Sequence, residues 1–281
     1  MSVGLFARLE IVKGSIAVSE GLAEHLANVS WVATTLATYI ARSRRNAIHD
    51  PELLETVVAV SGLMHDLGKA LFNISRKRLI DKALREGRDF TLTFPGHEVL
   101  SAAIAIVYGY ESGLSEEEIA LIARSIALHH QGLRGAHTYV FANLSKLVLE
   151  EAKSVDLKEF ANALRNLANQ VRNHVNALPI PTQAQEARKA IDSTISYLST
   201  KLSESEVEYA YEVIGRGMLL NALNRANLRL RYVARTATGL LMISDNYVAK
   251  KALGASRITA LYRYPDACTH FAQYILSRSK L

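Results

Sequence analysis

The chain has little of what interrupts helices and almost nothing that staples a small fold. Of its 281 residues five are proline, fifteen glycine and one cysteine. A lone Cys268 excludes an intramolecular disulfide framework and fits a reducing, cytoplasmic setting. The opening "MSVGLFARLE" lacks the apolar stretch and small-residue cleavage site of a secretory leader. No apolar run approaches bilayer length, so no membrane partner is expected. A phosphate-cradling G-x-x-x-x-G-K-[ST] loop is also missing, since the one Gly-Lys pair, Gly68-Lys69, belongs to a different motif. Work driven by ATP hydrolysis would have to come from another protein. The net charge of +6 suits a polyanionic partner and equally suits an ordinary basic protein.

What remains is long segments with apolar residues at helical spacing, which predicts an all-α fold. In "SEGLAEHLANVSWVATTLATYIARSRR" the residues Leu22, Leu26, Val29, Val32 and Leu36 form one stripe, with Ser19 as its expected N-cap and His25 at its edge. The pair His49-Asp50 stands before Pro51, where Asp at the N-cap and Pro at the first helical position make an ordinary helix start. That helix is apolar on nearly every face and should carry a second pair, His65-Asp66, to its C-terminal end before Gly68. A helix follows from about His97 to Tyr108, and another opens on a Ser115/Glu118 capping box and ends at His129-His130. Residues 141–201 read as two or three helices broken at "LPIPT" and form an insertion within a single domain spanning 1–281. A second capping box, Ser203 with Glu206, opens a long helix expected to bend near Gly215 and Gly217.

Five histidines, His25, His65, His97, His129 and His130, sit on or at the end of these helices among apolar neighbours. One such histidine is usually a hydrogen-bonded core residue. Five of them, with an aspartate, point elsewhere, because neutral imidazoles bind first-row divalent metals and a carboxylate can bridge two of them. A buried cation would also account for a His-Asp pair inside an apolar run.

The ordered set of His25, "MHDLGK", "GHE", "HHQG" and a late "SD" resembles the HD phosphohydrolase superfamily, and within it the HD nucleases of type I CRISPR interference. The resemblance implies an HD-type helical bundle with additional C-terminal helices, built around two divalent metal ions. One ion would be held by His25, His65, Asp66 and Asp245, the other by Asp66, His97, His129 and His130. Asp66 and Lys69 would be the catalytic residues, with Lys69 contacting phosphate or stabilising charge in the transition state. Asp245 lies inside the apolar helical segment "GLLMISDNYVAK"; Asp156 and Asp192, in more polar helices, are its weaker competitors. Imidazole-rich surroundings favour Mn, Fe, Co, Ni or Zn over Mg.

Two such ions about 3.5–4 Å apart clamp the attacking and leaving oxygens of a phosphodiester. The implied activity is a nuclease cutting single-stranded DNA, or RNA, in antiviral defence. The implied partners are a separate ATP-dependent helicase and a crRNA-guided surveillance complex. Arg225, Arg229, Arg231 and Arg235, and Arg76, Lys77 and Arg78, are the cations that could track a strand, and each could equally be solvated surface. An HD hydrolase of nucleotides or cyclic dinucleotides and a non-catalytic helical binding module are the alternatives. His174, His270 and His137 are given no role.

Overall fold

"FARLEIV" puts Ala7, Leu9 and Ile11 on one buried face, the period of two that a half-buried strand requires. In the computed structural model this segment is strand β1 (Phe6–Val12). It turns through Lys13 (φ 48) and Gly14 (φ 73) into the antiparallel strand β2 (Ser15–Gly21). Positive φ at both central residues is what a two-residue hairpin turn needs to match strand twist. A short β3 (Phe90–Thr91) pairs with the other edge of β1, giving the order β2-β1-β3. Ser19, expected to cap a helix, therefore lies in β2 opposite Leu9. The helix instead begins at Leu22, whose N–H donates to the carbonyl of Leu5 at 2.9 Å.

The structure describes residues 4–43, 50–130, 138–224, 228–253 and 265–278, and apart from the small sheet their regular structure is helical. The helices are α1 (Leu22–Ser43), α2 (Pro51–Met64), α3 (Lys69–Ser75), α4 (Lys77–Glu86), α5 (His97–Glu111) and α6 (Glu116–Leu128), then α7 (Thr138–Ala152), α8 (Leu157–Asn176) and α9 (Gln185–Ser196). A π-helical turn (Tyr197–Lys201) leads to α10 (Glu204–Gly215), α11 (Met218–Asn224), α12 (Leu228–Leu253) and α13 (Pro265–Arg278).

Helix α2 is central, as its all-round apolar sequence requires, and packs against α1, α6, α9 and α12. It starts where expected: the Asp50 carboxylate accepts from the N–H of Leu53 at 3.0 Å, and Pro51 follows. Gly62 lets α1 lie close, since a methyl group there would meet Cα of Ser30 at 2.6 Å. Both capping boxes form. The long helix after Ser203 breaks rather than bends: α10 stops at Gly215, and Gly217 takes φ 67, which a side chain would resist. Pro265 is the first residue of α13, a position that its missing N–H and fixed φ suit. The inserted segment joins the main core, with α8 on α1 and α9 on α2, and buries Phe160, Leu164, Leu167 and Ile191 there. Helix α12 lies across α1, α2 and α6, and this crossing brings a C-terminal residue to the middle of the bundle. Among the described residues no helix is long and apolar enough to cross a membrane.

Candidate metal centre

Each group at the centre arrives from a helix end or a helix crossing. His25 sits in the first turn of α1, and Asp245 faces it from α12. His65 caps the C-terminus of α2, and Asp66 begins the tight turn into α3. Gly68 has φ −60, so it is not the left-handed helix stop its position suggests. Its small size is needed because any side chain there would run into the carbonyl of His97, and its N–H donates to Ser101 Oγ at 2.8 Å. Gly96, at φ 80, turns the chain so that His97 opens α5. His129 is the C-cap of α6, with His130 next to it.

The ring orientations are set from outside. Nδ1 of His25 faces Glu20 Oε1 at 2.8 Å, and Nδ1 of His65, His97 and His129 face the carbonyls of Gly62, Phe94 and Ile126 at 3.0, 2.6 and 2.6 Å. These acceptors call for a proton on each Nδ1 and turn the Nε2 atoms inward. The Nε2 atoms then crowd together: His25 to His65 at 3.3 Å and His97 to His130 at 3.1 Å.

Asp66 divides its two oxygens between the two groups. Oδ1 is 2.9 Å from His97 Nε2 and 3.8 Å from His129 Nε2. Oδ2 is 3.2 Å from His25 Nε2 and 3.3 Å from His65 Nε2. Asp245 Oδ1 is 3.2 Å from His25 Nε2. The donors thus form two sets, His25, His65, Asp66 and Asp245 on one side and Asp66, His97, His129 and His130 on the other, each with its donor atoms within 4.8 Å of one another. All are buried except His130, which is exposed.

The charges show what this arrangement lacks. Burial by itself would raise the Asp66 carboxyl, but His65 and Lys69 hold it well below the ordinary range. Asp245 is likewise kept well below, against burial, by its bond to His25. Two buried carboxylates thus stay charged, with the Lys69 ammonium beside them, its Nζ 2.6 Å from Asp66 Oδ2. Burial would lower His25, but Asp245, Asp66 and Glu20 override it and push the imidazole well above its usual value. A fully buried imidazole that holds its proton so tightly reports a site that seeks positive charge. His129 is driven the other way by burial, His130 and His65, and stays a neutral donor. Desolvation and the adjacent His97 push His130 down to about 3, even with its outer edge exposed. His129 Nε2 and Asp66 Oδ1 meet no hydrogen-bond donor, and Asp66 Oδ2 is met by the Lys69 ammonium. Buried polar atoms are seldom left so, and this donor set fits divalent cations.

The structure therefore brings together all seven residues expected as metal ligands, with Lys69 beside them. Asp156 instead caps α8, accepting from Glu159 N–H at 2.9 Å, and Asp192 is exposed on α9. Of the expected strand-binding arginines, Arg235 is exposed on α12, ten residues and about 15 Å along the axis from Asp245, and does not join the centre. Arg229 and Arg231 fall in the first turn of the same helix. Arg225 lies outside the described residues, as do His49 and His137. Arg76 is not free to track a strand: its Nε and Nη2 each lie 3.2 Å from the Glu151 carboxylate, and Nη1 donates to the Thr93 carbonyl at 2.7 Å. Lys77 and Arg78 are exposed, as are His174 and His270.

Sequence reasoning missed Glu20. It is buried in β2, holds His25 through Oε1, and is met by Arg8 Nε at 3.4 Å on Oε2. No motif spacing marks it; its one signal was the alternating hairpin that contains it.

The HD domain family model matches residues 22–197, well over half of the chain, from the start of α1 to the end of α9 and the first residue of the π-helical turn. That segment holds His25, His65, Asp66, Lys69, His97, His129 and His130, while Glu20 and Asp245 lie on either side of it. No curated protein and no solved structure matches the chain. The match and the buried imidazole-carboxylate cluster together place the chain in the HD domain family, whose members are typically metal-dependent hydrolases.

Proposed function

We propose that this chain is a two-metal phosphodiesterase that cuts single-stranded nucleic acid, DNA foremost, as the stand-alone nuclease of a CRISPR interference system. The observation that carries the metal chemistry is the division of Asp66, one oxygen to each imidazole set. Bound divalent cations would supply Lewis acidity, which lowers the pKa of water and polarises a phosphoryl group. His25, His65, Asp66 and Asp245 would hold one, and Asp66, His97, His129 and His130 the other. With five imidazoles in the set, Mn, Fe, Co, Ni or Zn is favoured over Mg.

The remaining work falls to the protein. Hydrogen bonds at Nδ1 fix each ring and aim its Nε2 at the ion it would hold. Lys69, held by Asp66 and by the Ala7 carbonyl at 3.3 Å with its ammonium over Phe94, offers a fixed positive charge to a phosphate oxygen. His130 is the exposed member of the set, and a polymer would approach from its side. The choice of a strand and the CRISPR setting rest on the ordered motifs, the double histidine above all. The missing nucleotide-binding loop is in keeping with unwinding by a separate helicase, and target choice would come from a crRNA-guided complex.

The test is hydrolysis by purified protein loaded with Mn or Ni. Single-stranded oligonucleotides should be cut, cyclic dinucleotides and small phosphoesters should turn over far more slowly, and Asp66→Ala should abolish cutting. Preferential turnover of the small phosphoesters would transfer the site to nucleotide hydrolysis. Cutting that survives Asp66→Ala would remove the site from the reaction.

A further inference from the structure

The hairpin of β1 and β2 precedes the segment that the HD family model matches, yet it reaches the metal centre twice. Glu20 of β2 holds His25, and the carbonyl of Ala7 in β1 accepts from Lys69 Nζ at 3.3 Å. The second contact depends on an irregularity in the sheet. Phe6 stands opposite Gly21 and Arg8 opposite Glu20, so Ala7 is an extra residue with no partner across the pair. Such a bulge bends a strand and re-aims one of its residues, and here the carbonyl of that residue is given to a lysine.

What holds this stretch of β1 against α3 is Asn73, one helical turn beyond Lys69 and buried. Its Oδ1 accepts from the Phe6 N–H at 2.9 Å, and its Nδ2 donates to the Phe6 carbonyl at 3.0 Å. Nδ2 donates as well to the Lys69 carbonyl at 2.9 Å. The carboxamide thus serves both backbone groups of Phe6 as a neighbouring strand would, and it ties them to the backbone of Lys69. An amide suits this place because it offers an acceptor and a donor side by side.

Lys69 needs such a brace. Its ammonium has three donors and rides on a flexible four-carbon stem. One donor goes to Asp66 Oδ2 at 2.6 Å, the oxygen that also faces His25 and His65, and one goes to Ala7. With Asp66 engaged by cations, the Ala7 carbonyl would be the acceptor that keeps the ammonium in place, and the third donor is left for a phosphate oxygen.

We propose that Asn73 is a positioning residue of the hydrolytic site: it registers the Ala7 bulge over α3 and so fixes the direction in which Lys69 presents its charge. The catalytic consequence rests on the nuclease reading above, whereas the brace itself does not.

Two measurements on the full chain read Lys69. In the first, the native protein is reductively methylated with formaldehyde, and the labelling of each lysine is followed by peptide mass spectrometry. In the parent Lys69 should label far more slowly than the exposed Lys77. In Asn73→Ala its rate should approach that of Lys77, with the other lysines unchanged. In the second, cutting of a single-stranded oligonucleotide at saturating Mn is compared for the parent, Asn73→Ala, Lys69→Ala and the double variant. Asn73→Ala should lower kcat about tenfold, the worth of one hydrogen bond to a charged group. It should cost nothing further once Lys69 is alanine, because the two residues act as a unit. Losses that multiply in the double variant, or Lys69 labelling that Asn73→Ala leaves unchanged, would overturn the proposal and make Asn73 a packing residue. If the parent cuts no strand, the nuclease reading falls and the labelling alone decides the brace. Should Asn73→Ala melt too low to assay, Asn73→Ser takes its place with the same expectations.

Discussion

Asp66 is the residue on which the two metal sets depend. Replacing it by alanine removes a donor from each, whereas Asp245→Asn should weaken one set alone. Elemental analysis after reconstitution should therefore show both tightly held equivalents lost in the first variant and one in the second; equal losses would contradict the shared carboxylate. Glu20 acts one layer out. Removing the partner of a metal-ligating histidine typically costs about 10–100-fold in metal affinity, and Glu20→Ala should show that loss at the His25 set by calorimetric titration. Unchanged affinity would mean that Glu20 is only a packing residue. The residues that converge on the centre were legible because their chemistry lies in residue type and order: a His-Asp pair and a double histidine at helix ends have few structural uses. Glu20 was not legible, because its role comes from facing His25 across a strand-to-helix junction, and nothing in its spacing announces this.

Among the elements, the turn between α2 and α3 is the most constrained. Gly68 was read as a helix stop, but its φ is right-handed, and the approach of the His97 carbonyl is what forbids a side chain. Gly68→Ala should therefore push His97 away from Asp66 and cost about 1–3 kcal/mol in urea denaturation, with loss of metal. A neutral outcome would show that α5 can move without consequence. The helices themselves were legible from their period and caps, and Asp50, Ser115 and Ser203 cap as expected. The hairpin was hidden because a strongly helical chain draws attention to the wrong period, although Ala7, Leu9 and Ile11 alternate and Lys13-Gly14 supplies the turn.

The Arg76-Glu151 pair ties the junction of α3 and α4 to α7 and to the loop before His97, and Ser75 Oγ also donates to Glu151. Burial would raise the Glu151 carboxyl, but Arg76 and Ser75 bring it below the ordinary glutamate value of 4.5. Below that pH the unfolded chain takes up a proton that the folded chain resists, so this contribution is present above pH 4.5 and is lost on acidification through the folded pKa. Glu151→Gln should lower stability by about 1 kcal/mol at neutral pH and make the acid loss shallower, read from melting temperature against pH. A parallel acid curve would remove Glu151 from the linkage.

At the scale of the whole molecule, a core built from α1, α2, α5, α6 and α12 holds charged groups that no apolar bundle would bury without compensation. Asp245 reaches the centre because α12 crosses α1, α2 and α6, a long-range contact that no local pattern encodes; only its apolar setting in the sequence hinted at burial. Chelation should lower the melting temperature of the entire bundle, since a cation that binds the folded state alone stabilises it by mass action. The most direct measurement is metal content of the untagged chain after reconstitution with Mn or Ni. The account predicts two equivalents per chain, both lost in Asp66→Ala; a content well below one equivalent in the parent chain would contradict it.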